Sequence, residues 1–321
     1  MSPTTRRGFL AGALAGGVIP SSVAQAAGPA PAGPLQAEQE IVRRGRAIAA
    51  APDGRRLVVA HDQRRTIAIS VPGRAGSRLV DVGGQPLAAA VSPDGRLAAV
   101  TTAAWDQPGL ALIDLDAATL LGRVAVGPAP CAVAFAAGDR LVVSGGEQEG
   151  EVHVLDADGL GVLAHAPIGT VPRGVAADPE GEAAWVALCG LDRAVRVDID
   201  SGRVQRSLRT PPLPEHLALS PDGRRMLVSH AGLDAENVSE IDVASGHVTR
   251  RRAGRLPSAV AWTPGGVRLV ALGGAGEIVA FERGGATTSH AVGGAPRGLA
   301  VAGPRAWTVD ALTGAIGAVR T

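Results

Sequence analysis

The chain repeats itself. The stretch Pro86-Leu-Ala-Ala-Ala-Val-Ser-Pro-Asp-Gly-Arg-Leu-Ala-Ala-Val100 recurs as Pro214-Glu-His-Leu-Ala-Leu-Ser-Pro-Asp-Gly-Arg-Arg-Met-Leu-Val228. The same anchor falls at Gly45, Pro86, Pro130, Pro172, Pro214, Pro257 and Pro296, 39 to 44 residues apart. A period in this range dictates architecture, because one unit cannot bury its apolar faces alone and must stack on its neighbours. Seven units are therefore expected to form one body, with no second domain.

Within a unit, apolar runs of four to eight residues rich in Val, Leu and Ile alternate with Pro-Asp-Gly, Ser-Gly or Gly-Gly turns, the pattern of strands joined by hairpins. In the second unit the runs predict strands over Leu87–Ser92, Leu97–Thr102, Leu110–Leu115 and Leu120–Val126. Four antiparallel strands per unit make a blade, and the expected fold is all-β, a seven-bladed β-propeller. A β-sandwich would not explain the regular recurrence. The seventh unit offers only Gly298–Val301, Ala306–Val309 and Ala315–Arg320, which leaves an open edge. The unassigned segment Leu35–Val42 is expected to close the ring as its outer strand.

The Pro-Asp-Gly-Arg block, with Leu-Ile-Asp114, Val-Leu-Asp156, Val-Asp198 and Glu-Ile-Asp242 after it, resembles the YVTN-type seven-bladed propellers of exported bacterial proteins. The resemblance covers residues 35–321. The namesake tetrapeptide is replaced by Val-Val-Ala-His61, Val-Val-Ser-Gly145 and Leu-Val-Ser-His230, so it rests on period and turn block. The resemblance implies the fold and says little of function, since the shared residues are turn formers. The aspartates are expected to fix hairpins by accepting backbone amides.

Ahead of the repeats, Thr5-Arg6-Arg7-Gly8-Phe9-Leu10, an apolar stretch to Ile19 and the small-residue site Ala24-Gln25-Ala26 read as a twin-arginine export signal over 1–26. A linker follows over 27–34, and the propeller over 35–321. The apolar run is shorter than the ~20 residues needed to cross a bilayer. The expectation is a periplasmic or secreted monomer without a membrane span in the mature chain. The 31 bases face 30 acids, which argues against nucleic acid as a partner. All the bases are Arg, so Schiff-base chemistry and a P-loop lysine are absent. With 2% aromatics and no Tyr, base-stacking platforms are excluded too.

Function is sought where equivalent positions differ. The residue after the anchor is Arg46, Leu87, Cys131, Arg173, Glu215, Ser258 and Arg297 in turn. Three guanidiniums converging on a channel mouth suit a carboxylate or phosphate. His216 adjoins Glu215 and joins this set. A second ring, read at the end of the second strand, comprises His61, Thr101, Gly145, Leu188, His230, Gly273 and Asp310. Its histidines are candidates for ligand binding; a metal held by His61, His230 and Asp310 would need ligands converging within about 2.0–2.2 Å of one ion. No metal or other cofactor is expected, and a Cys-x-x-Cys-His haem site is absent. Cys131 and Cys189 are expected as free thiols. The leading reading is a non-catalytic binding propeller with an Arg-lined pocket for a small anion or an acidic partner. One alternative resembles the seven-bladed lactonases that hydrolyse sugar or muconate lactones, with Arg46, Arg173, Arg297, Glu215 and His216 as candidates. Another resembles accessory subunits of periplasmic redox systems.

Overall fold

A computed structural model describes residues 45–61, 64–103, 108–127, 129–146, 150–231 and 237–321. Each repeat is one antiparallel sheet whose strands pair in chain order, six sheets of four strands and a last sheet of three. Blade two comprises Gln85–Val91, Leu97–Ala103, Gly109–Asp114 and Thr119–Ala125, each end within two residues of the expected one. The innermost strands are Gly45–Ala50, Gln85–Val91, Pro130–Ala136, Pro172–Ala177, Pro214–Leu219, Pro257–Trp262 and Pro296–Ala302. Each lies beside the inner strands of the blades before and after it, and the last lies beside the first. The chain is a seven-bladed β-propeller around a central axis.

The side-chain period of a strand explains how blades stick together. Consecutive residues point to opposite faces, and in an inner blade both faces are covered. Val58 packs toward blade two, while Val59 packs toward blade seven. Seven separate apolar clusters result, one for each neighbouring pair of blades. The cluster that joins the ends of the ring contains Ile48, Leu57 and Val59 of blade one with Trp307, Val309 and Ile316 of blade seven. This seam closes the ring through side-chain burial. The last blade holds Pro296–Ala302, Arg305–Asp310 and Ile316–Arg320. The expected closing strand Leu35–Val42 lies outside the described residues, as do the signal over 1–26 and the linker over 27–34.

The turns follow their chemistry. In Pro93-Asp94-Gly95 the Asp94 carboxylate accepts from Ser92 Oγ (2.6 Å) and Arg96 N (3.0 Å), and these bonds hold it below the usual carboxylate range. Asp198 and Asp242 likewise accept from the amides of Ser201 and Ser245, both at 2.8 Å. Another regularity was not read from the sequence. The residue before the anchor proline in blades three to six, Ala129, Val171, Leu213 and Leu256, has φ between 50° and 56°. Left-handed backbone costs a residue with a Cβ roughly 1–2 kcal/mol. Its carbonyl is secured by the amide just beyond the second strand: Cys189 N to Val171 O, Ala231 N to Leu213 O and Gly273 N to Leu256 O are all 2.9 Å. Among the described residues no helix is long and apolar enough to cross a membrane.

Candidate binding site at the channel mouth

Antiparallel pairing puts the start of every inner strand beside the end of the second strand, on the face where blades are linked to one another. The inner strands carry a bulge at this point. Pro214 pairs with His230, and the next regular pair is Leu217 with Val228, so Glu215 and His216 fall within the irregularity. The same break separates Pro172 from Val175 and Arg297 from Ala300. A bulge re-aims the side chains it contains.

The break holds two residues in blades four, five and seven and one, Arg46, Leu87, Cys131 or Ser258, in the others. At the second position after the anchor the sequence reads Ala47, Ala88, Ala132, Gly174, His216, Ala259 and Gly298. Six are small, and packing shows why: a Cβ on Gly174 would lie 2.9 Å from Glu215 O and 3.0 Å from His216 Cα. Adjacent inner strands approach too closely there for larger residues to be general. His216 is the exception, and this contrast was legible in the sequence at a position that the anchor-plus-one comparison passed over.

His216 is solvent-exposed although the ring surrounds it. It faces channel water inside a wall of protein. That enclosure, followed by the charges of Arg297 and Arg173, lowers its pKa from 6.5 to about 4. Both arginines thus act on one imidazole, and the ring is neutral at pH 7. Arg173 and Arg297 are exposed, and Glu215 is half-buried. Among the described residues no carboxylate lies within 4.0 Å of either guanidinium. The Arg173 charge acts on the thiol of Cys189, which also feels the charge of Glu215. Arg46 is half-buried and has a partner.

The remaining predicted residues are placed elsewhere or are already engaged. Ser258 Oγ donates to Pro296 O of the next blade at 2.6 Å, and Cys131 Sγ, at the same position in blade three, donates to Pro172 O at 2.9 Å. Both are inter-blade ties. Cys131 and Cys189 are free thiols, each pushed above its ordinary pKa by burial. His230 is buried, with Nδ1 3.1 Å from Pro212 O and Nε2 2.8 Å from Ser239 Oγ. His61 is fully buried, and among the described residues neither ring nitrogen has a partner. Asp310 accepts from the amides of Ala295, Leu312 and Thr313 and from Thr313 Oγ1. Among the described residues no His, Cys, Asp and Glu cluster has a metal-holding arrangement. The second ring also needs a register correction. The partners of Pro86 and Pro257 are Thr102 and Leu272, one residue from Thr101 and Gly273. Thr102 follows Pro86 by 16 residues, as His230 follows Pro214, whereas the hairpin of blade six is one residue shorter and places Leu272 opposite Pro257.

No family model matches the chain, and no curated protein does. Solved structures do. A chain of Kuenenia stuttgartiensis hydrazine synthase superposes with a TM-score of 0.76 at 19% identity, covering 88% of this chain and 96% of that one. The β-propeller domain of Myceliophteria thermophila Cps50 (Swd1) superposes with a TM-score of 0.72 at 12% identity, covering 87% and 97%. Since 1563 solved chains match, such likeness identifies the architecture, which hosts many unrelated functions.

Proposed function

We propose that this is an exported, non-catalytic propeller of the YVTN type whose channel mouth binds a small anion through Arg173 and Arg297. The observation that carries the reading is a pair of guanidiniums that, among the described residues, have no carboxylate at ion-pairing distance and act together on a neutral imidazole. An anion between them would supply a counter-charge, and planar forks suit carboxylate or phosphate. Hydrolysis of a lactone is less well served. A general base works best with a pKa near the operating pH, and His216 at about 4 is a weak one. A role beside a redox enzyme has the named hydrazine synthase neighbour in its favour, at the level of fold alone.

A thermal-shift screen with citrate, succinate, phosphate and sulfate tests the site, because a ligand that binds only the native state raises its stability by mass action. At least one anion should raise the melting temperature of the wild type, and Arg173→Ala with Arg297→Ala should remove that rise. Equal shifts in both proteins would sink the reading. Export is tested separately: Arg6→Lys with Arg7→Lys should retain the protein in the cytoplasm.

A further inference from the structure

The exposed large apolar side chains of this ring are not scattered. Among the described residues six of the ten, Leu79, Leu120, Leu121, Val162, Leu163 and Val204, lie on outer strands, and the other four, Leu191, Leu213, Leu256 and Leu312, lie in connections on the channel-mouth face. None of the ten lies in a turn of the opposite face, where Pro-Asp-Gly and Asp-Ser-Gly sequences prevail. Exposure reaches 56% at Leu256 and 70% at Leu312. Single exposed leucines need no explanation, but Leu213 and Leu256 sit at φ 56° and 53°. Glycine would adopt that backbone without strain. The link between blades imposes the same backbone on Ala129 and Val171, so the strain is common to the ring; what sets Leu213 and Leu256 apart is a large apolar side chain in water at a place where glycine would be easier.

From this arrangement we infer that the channel-mouth face docks a protruding protein segment in which an acidic residue is flanked by apolar ones. The leucines take the apolar shoulders, and Arg173 and Arg297 take the acid. Charge complementarity selects this occupant over an apolar surface such as a membrane, since a hydrocarbon phase would leave the arginines unpaired. An aliphatic rim around a cationic centre also has the usual anatomy of an interface anchor, in which desolvation by the rim strengthens the central polar contact. The inference rests on the anion site proposed above and extends it to a macromolecular ligand.

A phage-displayed library of random dodecapeptides, panned on the mature chain from residue 27, provides the probe. The expected consensus is Asp or Glu between Leu, Ile, Val or Phe. The enriched peptide should bind Leu213→Gly with Leu256→Gly at least tenfold more weakly, while the melting temperature of that variant stays unchanged or rises. Arg173→Ala with Arg297→Ala should lose the same peptide. The inference is overturned if no peptide is enriched, if the consensus lacks an acid or apolar flanks, or if the glycine variant binds as the wild type does. Self-association of the wild type that the glycine variant abolishes would also overturn it, by making a second copy the occupant. Small-anion thermal shifts should survive in the glycine variant. If they do while peptide binding fails in the wild type, the docking inference alone falls; if both fail, the anion site falls with it.

Discussion

The backbone of Gly174 in blade four lies against that of His216 in blade five, so closely that a Cβ at position 174 would be 3.0 Å from His216 Cα and 2.9 Å from Glu215 O. Both obstacles are backbone and cannot rotate away. Gly174→Ala should therefore push the two inner strands apart, at a cost of about 1–3 kcal/mol typical of overpacking. Since Arg173 and His216 flank this contact, anion affinity should fall as well. Chemical denaturation and the anion thermal shift measure the two effects; a variant as stable as the wild type would mean that the strands are free to separate.

Between blades five and six, Glu240 is only 2% exposed and is held by three arginines, with Arg225 Nη1 at 2.6 Å, Arg268 Nε at 2.8 Å and Arg251 Nη2 at 3.3 Å. Arg268 also lies over the Trp262 ring and Arg251 over Phe281. Burial pushes the carboxyl up, and the guanidiniums outweigh it, leaving it below its ordinary value. Among the described residues Glu240 is the only acid of the cluster, and removing it leaves the largely buried Arg268 uncompensated. Glu240→Ala should cost about 3–5 kcal/mol, with Arg225→Ala much milder because that side chain is half exposed. Equal losses in urea melts would contradict this ranking.

The seam between the last and first blades rests on Trp307, which is 2% exposed and whose Cη2 lies 3.3 Å from where a Cβ on Gly54 would be. Trp185, 1% exposed, is packed between blades four and five. If the ring is closed as tightly as it is built elsewhere, Trp307→Ala and Trp185→Ala should each cost about 3–5 kcal/mol. A small loss at Trp307 alone would show that the seam opens.

The blade count, strand order and turn roles were legible because the period, the apolar alternation and the Pro-Asp-Gly chemistry are all local. The arginines and His216 were legible as candidates for the same reason: equivalent positions can be compared once the repeat is found. What spacing could not supply is register. Whether the bulge holds one residue, as after Pro86 and Pro257, or two, as after Pro172 and Pro214, depends on pairing between strands. Nor does spacing bring Arg268 to Glu240, which meet only because blades five and six stack, whereas Arg225 reaches Glu240 from the paired strand of the same blade. The left-handed backbone at Leu213 and Leu256 is set by the link between blades, against the preference of leucine itself.

His61 and His230 end the second strands of blades one and five, and both have a pKa lowered from 6.5 to about 4, chiefly by burial. Their surroundings differ. His230 is bonded at both nitrogens, whereas His61 has no partner at either among the described residues, and Ala68 stands where blade five has Ser239. A buried polar group without a partner loses its hydration for nothing in return. His61→Leu should therefore leave stability at pH 7 unchanged or higher, while His230→Leu should cost about 1–3 kcal/mol by leaving its partners unsatisfied. Acid separates them from other residues. An unfolded histidine takes up a proton below about pH 6.5, and the folded one resists until about 4, so the unfolded state binds more protons in this window and stability falls with falling pH. For a fully buried imidazole the loss approaches about 3 kcal/mol by pH 4. His61→Leu should flatten the stability profile between pH 6.5 and 4 and leave the steeper carboxylate-driven loss below it. Denaturation curves at pH 7, 5.5 and 4.5 decide the matter: a variant whose stability falls as fast as that of the wild type would show that His61 is protonated in the native protein.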